Sequence, residues 1–473
     1  MSGLEYVEQL ASLILIKLAH EQRQRPLNPV DLIGYDAWAD ISRSAGEDQR
    51  QHYEQALLYL GRGPGNLGVL FRKAQNRISD PAKLNRLIDM VDGYHWSGNE
   101  HGGRGAIYEA LLARLTADTK TGAGQYYTPR PLIEAIVQCV QPSVGDTIID
   151  PACGTGGFLI KSFEYLVEHF PPGVGPAERA RLTASAFSGT ELVEATARLA
   201  TMNMLLHGMT RPDGHSPIAV GDALAQRPVQ HASLVLTTPP FGRRTMLTGE
   251  TYADYRPDFW AATGNRQLNF LQHIHSLLQI NGRAAVVVPD NVLFEGGAGE
   301  HVRRRLLDAC DVHTLLRLPT GVFYAPGLKT SVLFFDKRVP RVDGRPSTER
   351  LWVYDLRAEH PAPTKAPLTA ADFADFVSAY RPGRPRNERT ASRVFRSFRV
   401  EDLLARDRTN LDLVVAEPAN APFAPAEPDT DLHHMAQRIA NELRAALEEL
   451  TILTEALRPY GVDADRPDQG ATR

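Results

Sequence analysis

Apolar residues recur at intervals of three and four through the first hundred residues, which is the spacing of helices that bury one face. Two such series stand out in this part of the chain: Leu10, Leu13, Ile14 and Leu18, then Tyr53, Ala56, Leu57 and Leu60. The pattern predicts an N-terminal helical domain over residues 1–104. We expect this domain to be structural, because it carries no recognisable catalytic motif.

From residue 105 to residue 340 the pattern alternates between short β-branched and aliphatic runs and longer helical stretches. The runs predicted as strands are 147–150, 234–236, 284–288 and 331–335. Such alternation is typical of an α/β domain with a mostly parallel sheet. Residues 341–415 are mixed and polar, and we interpret them as an extension beyond that domain.

The C-terminal part changes character twice. Residues 416–429 hold four prolines among alanines and acids, which predicts an extended linker. Residues 430–460 then carry apolar residues at alternating intervals of four and three, which is typical of a coiled-coil seam that docks onto a partner. The alternative is an amphipathic helix packed on its own domain. Residues 461–473 are predicted to be a disordered tail.

Composition narrows the class of protein. The 473 residues are 43% hydrophobic and 23% charged, which is ordinary for a soluble globular chain of two to four domains. No apolar run is long enough to span a bilayer and no signal peptide is recognisable, so we expect a cytoplasmic protein without membrane contact. The three cysteines lack metal-ligand spacing, so we expect buried thiols and no metal site. With a net charge of −4, any DNA binding must rely on local positive charge or on a partner.

A glycine-rich turn follows the first predicted strand. The segment reads Asp150-Pro-Ala-Cys-Gly154-Thr155-Gly156-Gly157-Phe158 and leads into a helical run. Such a turn lets the backbone and the helix N–H groups approach a ligand closely. A dinucleotide site and a plain structural turn are the alternatives, but a carboxylate at the strand end suits a cationic methionine ammonium better than a pyrophosphate.

Two acidic residues follow at the ends of later predicted strands. Glu191, in Gly-Thr-Glu-Leu, has the position from which an acid binds ribose hydroxyls, although a lone Glu is more often a solvated surface charge. Asp222 and Ala223 follow a valine and a glycine, where the carboxylate could approach an adenine amino group. The alternative is a simple strand-ending turn.

An upstream segment offers polar and aromatic contacts for a cofactor. Thr128 and Pro129 are typical of a helix start, with the hydroxyl as N-cap and proline at the first helical position. The residues predicted to contact the cofactor here are Gln125, Tyr126, Tyr127, Thr128, Pro129 and Arg130.

The most specific segment follows the strand predicted at 234–236. It reads Thr238-Pro239-Pro240-Phe241 and projects from the strand end. Such a loop would suit a reaction at the exocyclic amine of adenine. That amine is a poor nucleophile because its lone pair is conjugated into the ring. Acceptors that bind both of its N–H groups favour a pyramidal nitrogen, whose lone pair is free to react. The Pro239 carbonyl is one candidate acceptor, and Phe241 could stack on a base flipped from the duplex.

Basic residues lie near this loop and further along the chain. Arg243 and Arg244 are candidate phosphate contacts, with plain solvated arginines as the alternative. We expect residues 303–305, three arginines in a row, to be an ordinary exposed helix surface.

These motifs, in this order, are similar to those of gamma-class adenine DNA methyltransferases. Further segments resemble the modification subunits of type I restriction–modification systems, namely 268–274, 288–296 and 318–323. The resemblance covers roughly residues 1–340. It implies a Rossmann-like, class I methyltransferase core, S-adenosylmethionine as cofactor, and adenine in double-stranded DNA as substrate. It also implies a separate specificity subunit carrying two copies of this chain, and leaves open whether a restriction subunit joins them.

One position departs from the family pattern. The family has Asn, Asp or Ser before Pro-Pro, where this chain has Thr238. The threonine hydroxyl lies closer to the backbone than an amide oxygen by roughly 1.5 Å, and its β-branching restricts its rotamers. An alternative function is therefore a weak or inactive subunit that only binds cofactor and DNA. A self-sufficient enzyme with built-in recognition is disfavoured by the short C-terminal part. A nicotinamide oxidoreductase is disfavoured because it has no use for the Pro-Pro-Phe loop.

Overall fold

The N-terminal helical series forms helices in the computed structural model, which describes residues 3–23, 36–62, 70–96, 109, 128–170, 173, 175–209, 216–241, 256–323, 328–358, 368–413 and 415. The helices are α1 (Gly3–Arg23), α2 (Ala37–Arg43), α3 (Gly46–Gly61) and α4 (Pro81–Asp92). Asp36 and Asp80 begin α2 and α4 by accepting backbone N–H groups with their carboxylates. The prediction of a helical N-terminal region is confirmed for its described part.

The apolar runs further on pair into one sheet of nine strands among the described residues, in the order β3-β2-β1-β4-β5-β7-β6-β8-β9. The strands are β1 (Ile148–Asp150), β2 (Phe187–Glu191), β3 (Ile218–Val220), β4 (Ala232–Thr237), β5 (Leu278–Pro289), β6 (Cys310–Arg317), β7 (Thr330–Lys337), β8 (Arg350–Asp355) and β9 (Phe395–Arg399). β7 runs antiparallel to β5 and β6, β9 runs antiparallel to β8, and the other neighbouring pairs are parallel. The order of the first five strands is that of a doubly wound sheet, which confirms the Rossmann-like core.

Helices connect the strands and cover the sheet. They are α5 (Arg130–Val140), α6 (Gly157–Glu168), α7 (Pro176–Ala184), α8 (Glu194–Leu206), α9 (Arg266–Leu277), α10 (Asn291–Phe294), α11 (Ala298–Ala309), α12 (Ala374–Tyr380) and α13 (Val400–Ala405). α8 also packs against the N-terminal helices, because its Leu199, Met202 and Leu206 are buried in their apolar core. An ion pair of 2.7 Å between Arg198 and Glu8 adds to this contact.

The four predicted strands are all present, but the sheet extends beyond the predicted boundary at residue 340. β8 and β9 lie at its far end, so the described part of residues 341–415 belongs to the same sheet rather than to an extension outside it. β8 was missed because its apolar residues stand among arginines and acids in a polar stretch.

A segment before the predicted linker docks on the α/β domain through Arg303. This side chain is 2% exposed and donates to four backbone carbonyls, those of Val292, Glu295, Arg408 and Thr409, over 2.6 to 3.0 Å. The expectation of an exposed helix surface is therefore wrong for Arg303. Its guanidinium is buried because it donates to backbone carbonyls of two segments that meet there, residues 292–295 and 408–409.

Three further expectations can be placed. The three cysteines are buried, as predicted. No helix within the described residues is both long enough and apolar enough to cross a bilayer. The predicted linker, coiled coil and tail, residues 416–473, lie outside the described residues.

Candidate active site

The motifs predicted from sequence meet at one edge of the sheet. Because β3, β2, β1 and β4 are adjacent and parallel, their carboxyl ends lie side by side. Asp150 ends β1, Glu191 ends β2, and the Thr238 loop follows β4. The chain reverses its strand order between β1 and β4, which is where open α/β sheets form a ligand crevice.

The glycine turn has a backbone that requires glycine. Gly154 and Gly156 have φ angles of +53° and +84°, in the left-handed region. A Cβ on Gly154 would meet nothing within 4 Å, so the turn has open space in front of it. Behind the turn, the Asn203 amide donates to the Thr155 carbonyl over 3.0 Å, and the Phe158 ring is buried in the core. The Phe158 ring, predicted to contact the cofactor, thus packs in the core rather than facing the open side of the turn.

Asp150 is a buried acid. Its side chain is 1% exposed, and it accepts the Ala152 backbone N–H over 3.0 Å. Burial raises the pKa of its carboxyl to about 7, and no cation pairs with it among the described residues. A buried carboxylate without a counter-ion favours an incoming positive charge.

Glu191 connects the second strand to the glycine turn. Its Oε2 accepts the Gly154 N–H over 3.1 Å and its Oε1 accepts the Val193 N–H over 2.8 Å. Burial raises the pKa of this carboxyl as well. The half-buried carboxylate is thus bound by backbone N–H groups at both ends of the turn region rather than free on the surface.

Two exposed apolar residues lie beside Glu191 and were not among the predicted site residues. Leu192 is 57% exposed and Val220, at the end of β3, is 55% exposed. Exposed aliphatic side chains at neighbouring strand ends form an apolar surface next to the acid. The sequence offered one indication of this surface, because the apolar Leu192 directly follows Glu191, the acid predicted to bind ribose.

Asp222 lies in a turn after β3, which is the alternative that the sequence left open for this residue. Its Oδ1 accepts the Leu224 N–H over 3.0 Å. The buried Arg256 guanidinium donates to the Leu224 carbonyl over 2.9 Å, which holds the turn from below. Ala223 lies half-buried against a small apolar cluster of Leu224 and Phe270.

The segment predicted upstream of the glycine turn reaches both parts of the site. The Thr128 hydroxyl donates to Thr238 Oγ1 over 2.9 Å, and Arg130 donates to the Gly157 carbonyl over 3.1 Å and pairs with Glu109. The prediction that the Thr128 hydroxyl caps α5 is wrong. Pro129 has the N-cap position, and no side chain caps the helix there. The hydroxyl is instead used to hold the loop after β4. Gln125, Tyr126 and Tyr127 lie outside the described residues.

The Thr238–Phe241 loop is held at three points. Thr238 binds Thr128, the Pro240 carbonyl accepts the Gln267 amide over 2.7 Å, and the Phe241 ring packs edge-on against Phe323 with centroids 5.5 Å apart. Phe241 is 7% exposed, so stacking on a base requires that the ring become uncovered when DNA binds. Arg243 and Arg244 lie outside the described residues.

Comparisons with known proteins agree with this geometry. Residues 102–413 match the family model described as N-6 DNA Methylase. The chain is 40% identical over 392 residues to the type I restriction enzyme StySPI methylase subunit of Salmonella potsdam, covering 79% of this chain and 72% of the relative. It is 40% identical over 390 residues to the EcoKI methylase subunit of Escherichia coli K12, with the same coverage of 79% and 72%. A chain from a structural study of complex assembly and conformational transition of the type I R-M system superposes with a TM-score of 0.71 at 25% identity, over 98% of this chain and 95% of that one.

The fold, the site and these matches define an adenine-specific DNA methyltransferase, and the chain belongs to the N-6 DNA methylase family. Within that family it is a methylase subunit of the type I restriction–modification class, as the sequence resemblance implied. No relative reported above supports the alternative of an inactive subunit.

Proposed function

We propose that the chain takes its methyl group from S-adenosylmethionine bound along the carboxyl ends of β1, β2 and β3. That cofactor supplies an electrophilic methyl on a sulfonium. Asp150 holds the methionine ammonium, the glycine turn accommodates the methionine portion, and Glu191 binds the ribose hydroxyls. Leu192 and Val220 contact the adenine ring, and Asp222 or its turn binds the adenine amine.

The residues present fit this ligand. Asp150 is a buried acid that lacks a cationic partner among the described residues, and a cofactor ammonium provides one. The open space at Gly154 lies beside the Glu191 carboxylate, which is 3.1 Å from the Gly154 nitrogen. The exposed aliphatic side chains of Leu192 and Val220 gain burial when a planar ring covers them.

The loop after β4 binds the target base. Thr238 Oγ1 and the Pro239 carbonyl accept the two N–H groups of the adenine amine, and the base is flipped out of the duplex toward Phe241. A hydroxyl oxygen has two lone pairs and Thr128 uses one, so Thr238 keeps one acceptor for substrate. The Thr128 bond also orients this hydroxyl.

One observation carries the proposal: the 2.9 Å bond between Thr128 and Thr238. It joins the loop expected to bind the base to the segment that also holds the glycine turn through Arg130 and Gly157. This link supports a single crevice for base and cofactor, which direct methyl transfer requires.

Partners follow from the class. We propose that two copies of this chain act with one specificity subunit on double-stranded DNA, with residues 430–460 docking on that subunit and Arg243 and Arg244 contacting phosphates. A restriction subunit is a further candidate partner. The relatives' description as subunits of restriction enzymes supports an assembly.

Calorimetry on the purified chain tests the cofactor assignment. We expect saturable binding of S-adenosylmethionine, and no heat at millimolar ligand would refute the site. In the assembled complex, Thr238→Asn should keep or raise adenine methylation, because an amide oxygen replaces a hydroxyl as acceptor. Thr128→Val should lower methylation with unchanged cofactor affinity, since it removes only the orienting hydroxyl. A clear loss of methylation in Thr238→Asn would show that threonine is required here.

A further inference from the structure

The Pro-Pro loop cannot fix its own backbone. Pro239 and Pro240 have no N–H groups, so neither can donate to a neighbouring strand or turn. The carbonyl between Pro240 and Phe241 is bound instead by a side chain 27 positions further on, since Gln267 Nε2 donates to it over 2.7 Å. This carbonyl is one peptide away from that of Pro239, the expected acceptor for the adenine amine.

Gln267 is itself held rigidly. It lies in the first turn of α9, is 3% exposed, and its backbone N–H is bound by Asn265 Oδ1 over 3.0 Å. The Asn265 amide in turn donates to Glu295 Oε2 over 2.9 Å. The donor that binds the Pro240 carbonyl therefore lies at a buried helix start that is fixed by a cap. That cap is made by Asn265, so a change of the Gln267 side chain leaves it in place.

We propose that Gln267 is a positioning residue for methyl transfer: its amide fixes the Pro240–Phe241 peptide, and through it the direction of the Pro239 carbonyl. The inference rests on the proposed function of the Thr238–Phe241 loop. Gln267 does not touch the base; it sets the orientation of the groups that do. Since an acceptor displaced by a fraction of an ångström loses much of its effect, the amide influences turnover more than binding.

The test uses two substitutions in the assembled complex with unmethylated host DNA. Gln267→Met keeps the length of the side chain and removes the donor, and we expect kcat to fall at least about tenfold. Cofactor affinity should remain within about twofold, because the cofactor lies at the other strand ends. Gln267→Glu restores a donor only while its carboxyl is protonated. Its kcat relative to wild type should therefore fall as pH rises, while the Met variant's ratio stays flat.

Gln272→Glu is the matched control. This residue lies on the same helix and is 1% exposed, and its Oε1 accepts the backbone N–H groups of Trp260 and Ala261. Its Nε2 donates to the Ala261 carbonyl over 3.2 Å and to Asn269 Oδ1 over 3.3 Å, so this variant also replaces a buried donor by a titratable oxygen, but away from the loop. Its kcat relative to wild type should therefore vary far less with pH than that of Gln267→Glu. A Gln267→Met enzyme with wild-type kcat, or a Gln267→Glu ratio that is flat with pH, overturns the inference. Inactive wild-type enzyme would count against the proposed function instead.

Discussion

Cofactor affinity should depend on pH through Asp150. Its pKa of about 7, against an ordinary value of 3.8, means that the carboxyl is mostly protonated below pH 7. A protonated, uncharged acid cannot form an ion pair with an ammonium. The ionised fraction is about one half at pH 7 and about one tenth at pH 6. Binding that requires the carboxylate should therefore be about fivefold weaker at pH 6 than at pH 7.

Asp150 affects the pH dependence of folding stability in the opposite direction to a salt-bridged acid. Because the fold raises the pKa of Asp150, the folded state keeps a proton that the unfolded chain has lost. The carboxyl therefore lowers the stability of the cofactor-free protein as pH rises from about 4 to 7. Cofactor binding should relieve this, so the thermal shift on adding S-adenosylmethionine should be larger at pH 7 than at pH 6.

Calorimetry in buffers of different ionisation enthalpy measures both effects. At pH 7 we expect release of about half a proton from Asp150 on binding. Asp150→Asn should bind more weakly at pH 7 and should lose most of the pH dependence. Equal affinity at the two pH values, with no proton released, would refute the role given to this buried acid.

Three further changes probe other parts of the account. Glu191→Ala should weaken cofactor binding at least about tenfold in calorimetry, because it removes the acid that binds the Gly154 N–H and is proposed to bind the ribose; unchanged affinity would exclude it from the site. Arg303→Leu should lower the free energy of unfolding by about 3 kcal/mol in a denaturant titration, since four carbonyls lose their donor. Arg304→Leu next to it should cost about 1 kcal/mol or less, and equal losses would contradict the anchoring role. Gly157→Ala places a Cβ 2.9 Å from Ile133 Cδ1 and 3.4 Å from Arg130 Nη1, so the melting temperature should fall; an unchanged melting temperature would contradict tight packing of α5 against the turn.

The arrangement of the candidate site at one edge of the sheet was predictable because its sequence signals are local. An apolar strand ending in an acid, a glycine turn and a helix start are all contained in residues 147–167. The Pro-Pro-Phe segment likewise follows its strand directly. Parallel strands then bring these separate ends to one edge of the sheet without further information.

The rest depends on contacts between distant residues. Gln267 and Arg303 are polar side chains on helices, and nothing in their neighbourhood distinguishes a buried donor from a solvated one. Their partners are carbonyls, which every residue has, up to 106 positions away. The bond made by Thr128 was predicted wrongly, because a threonine before proline is also typical of a helix cap. β8 and β9 were missed because their apolar residues stand among arginines and other polar residues, and only pairing with the rest of the sheet identifies them as strands.

The most direct test of the central claim is to map N6-methyladenine by sequencing genomic DNA from the host, with and without this gene. Cofactor crevice and base-binding loop act as one active site in this account. We therefore predict that methylation at one recurring sequence disappears on deletion. It should return with the wild-type gene but not with an Asp150→Ala copy. Adenine methylation that is unchanged by the deletion would contradict the account.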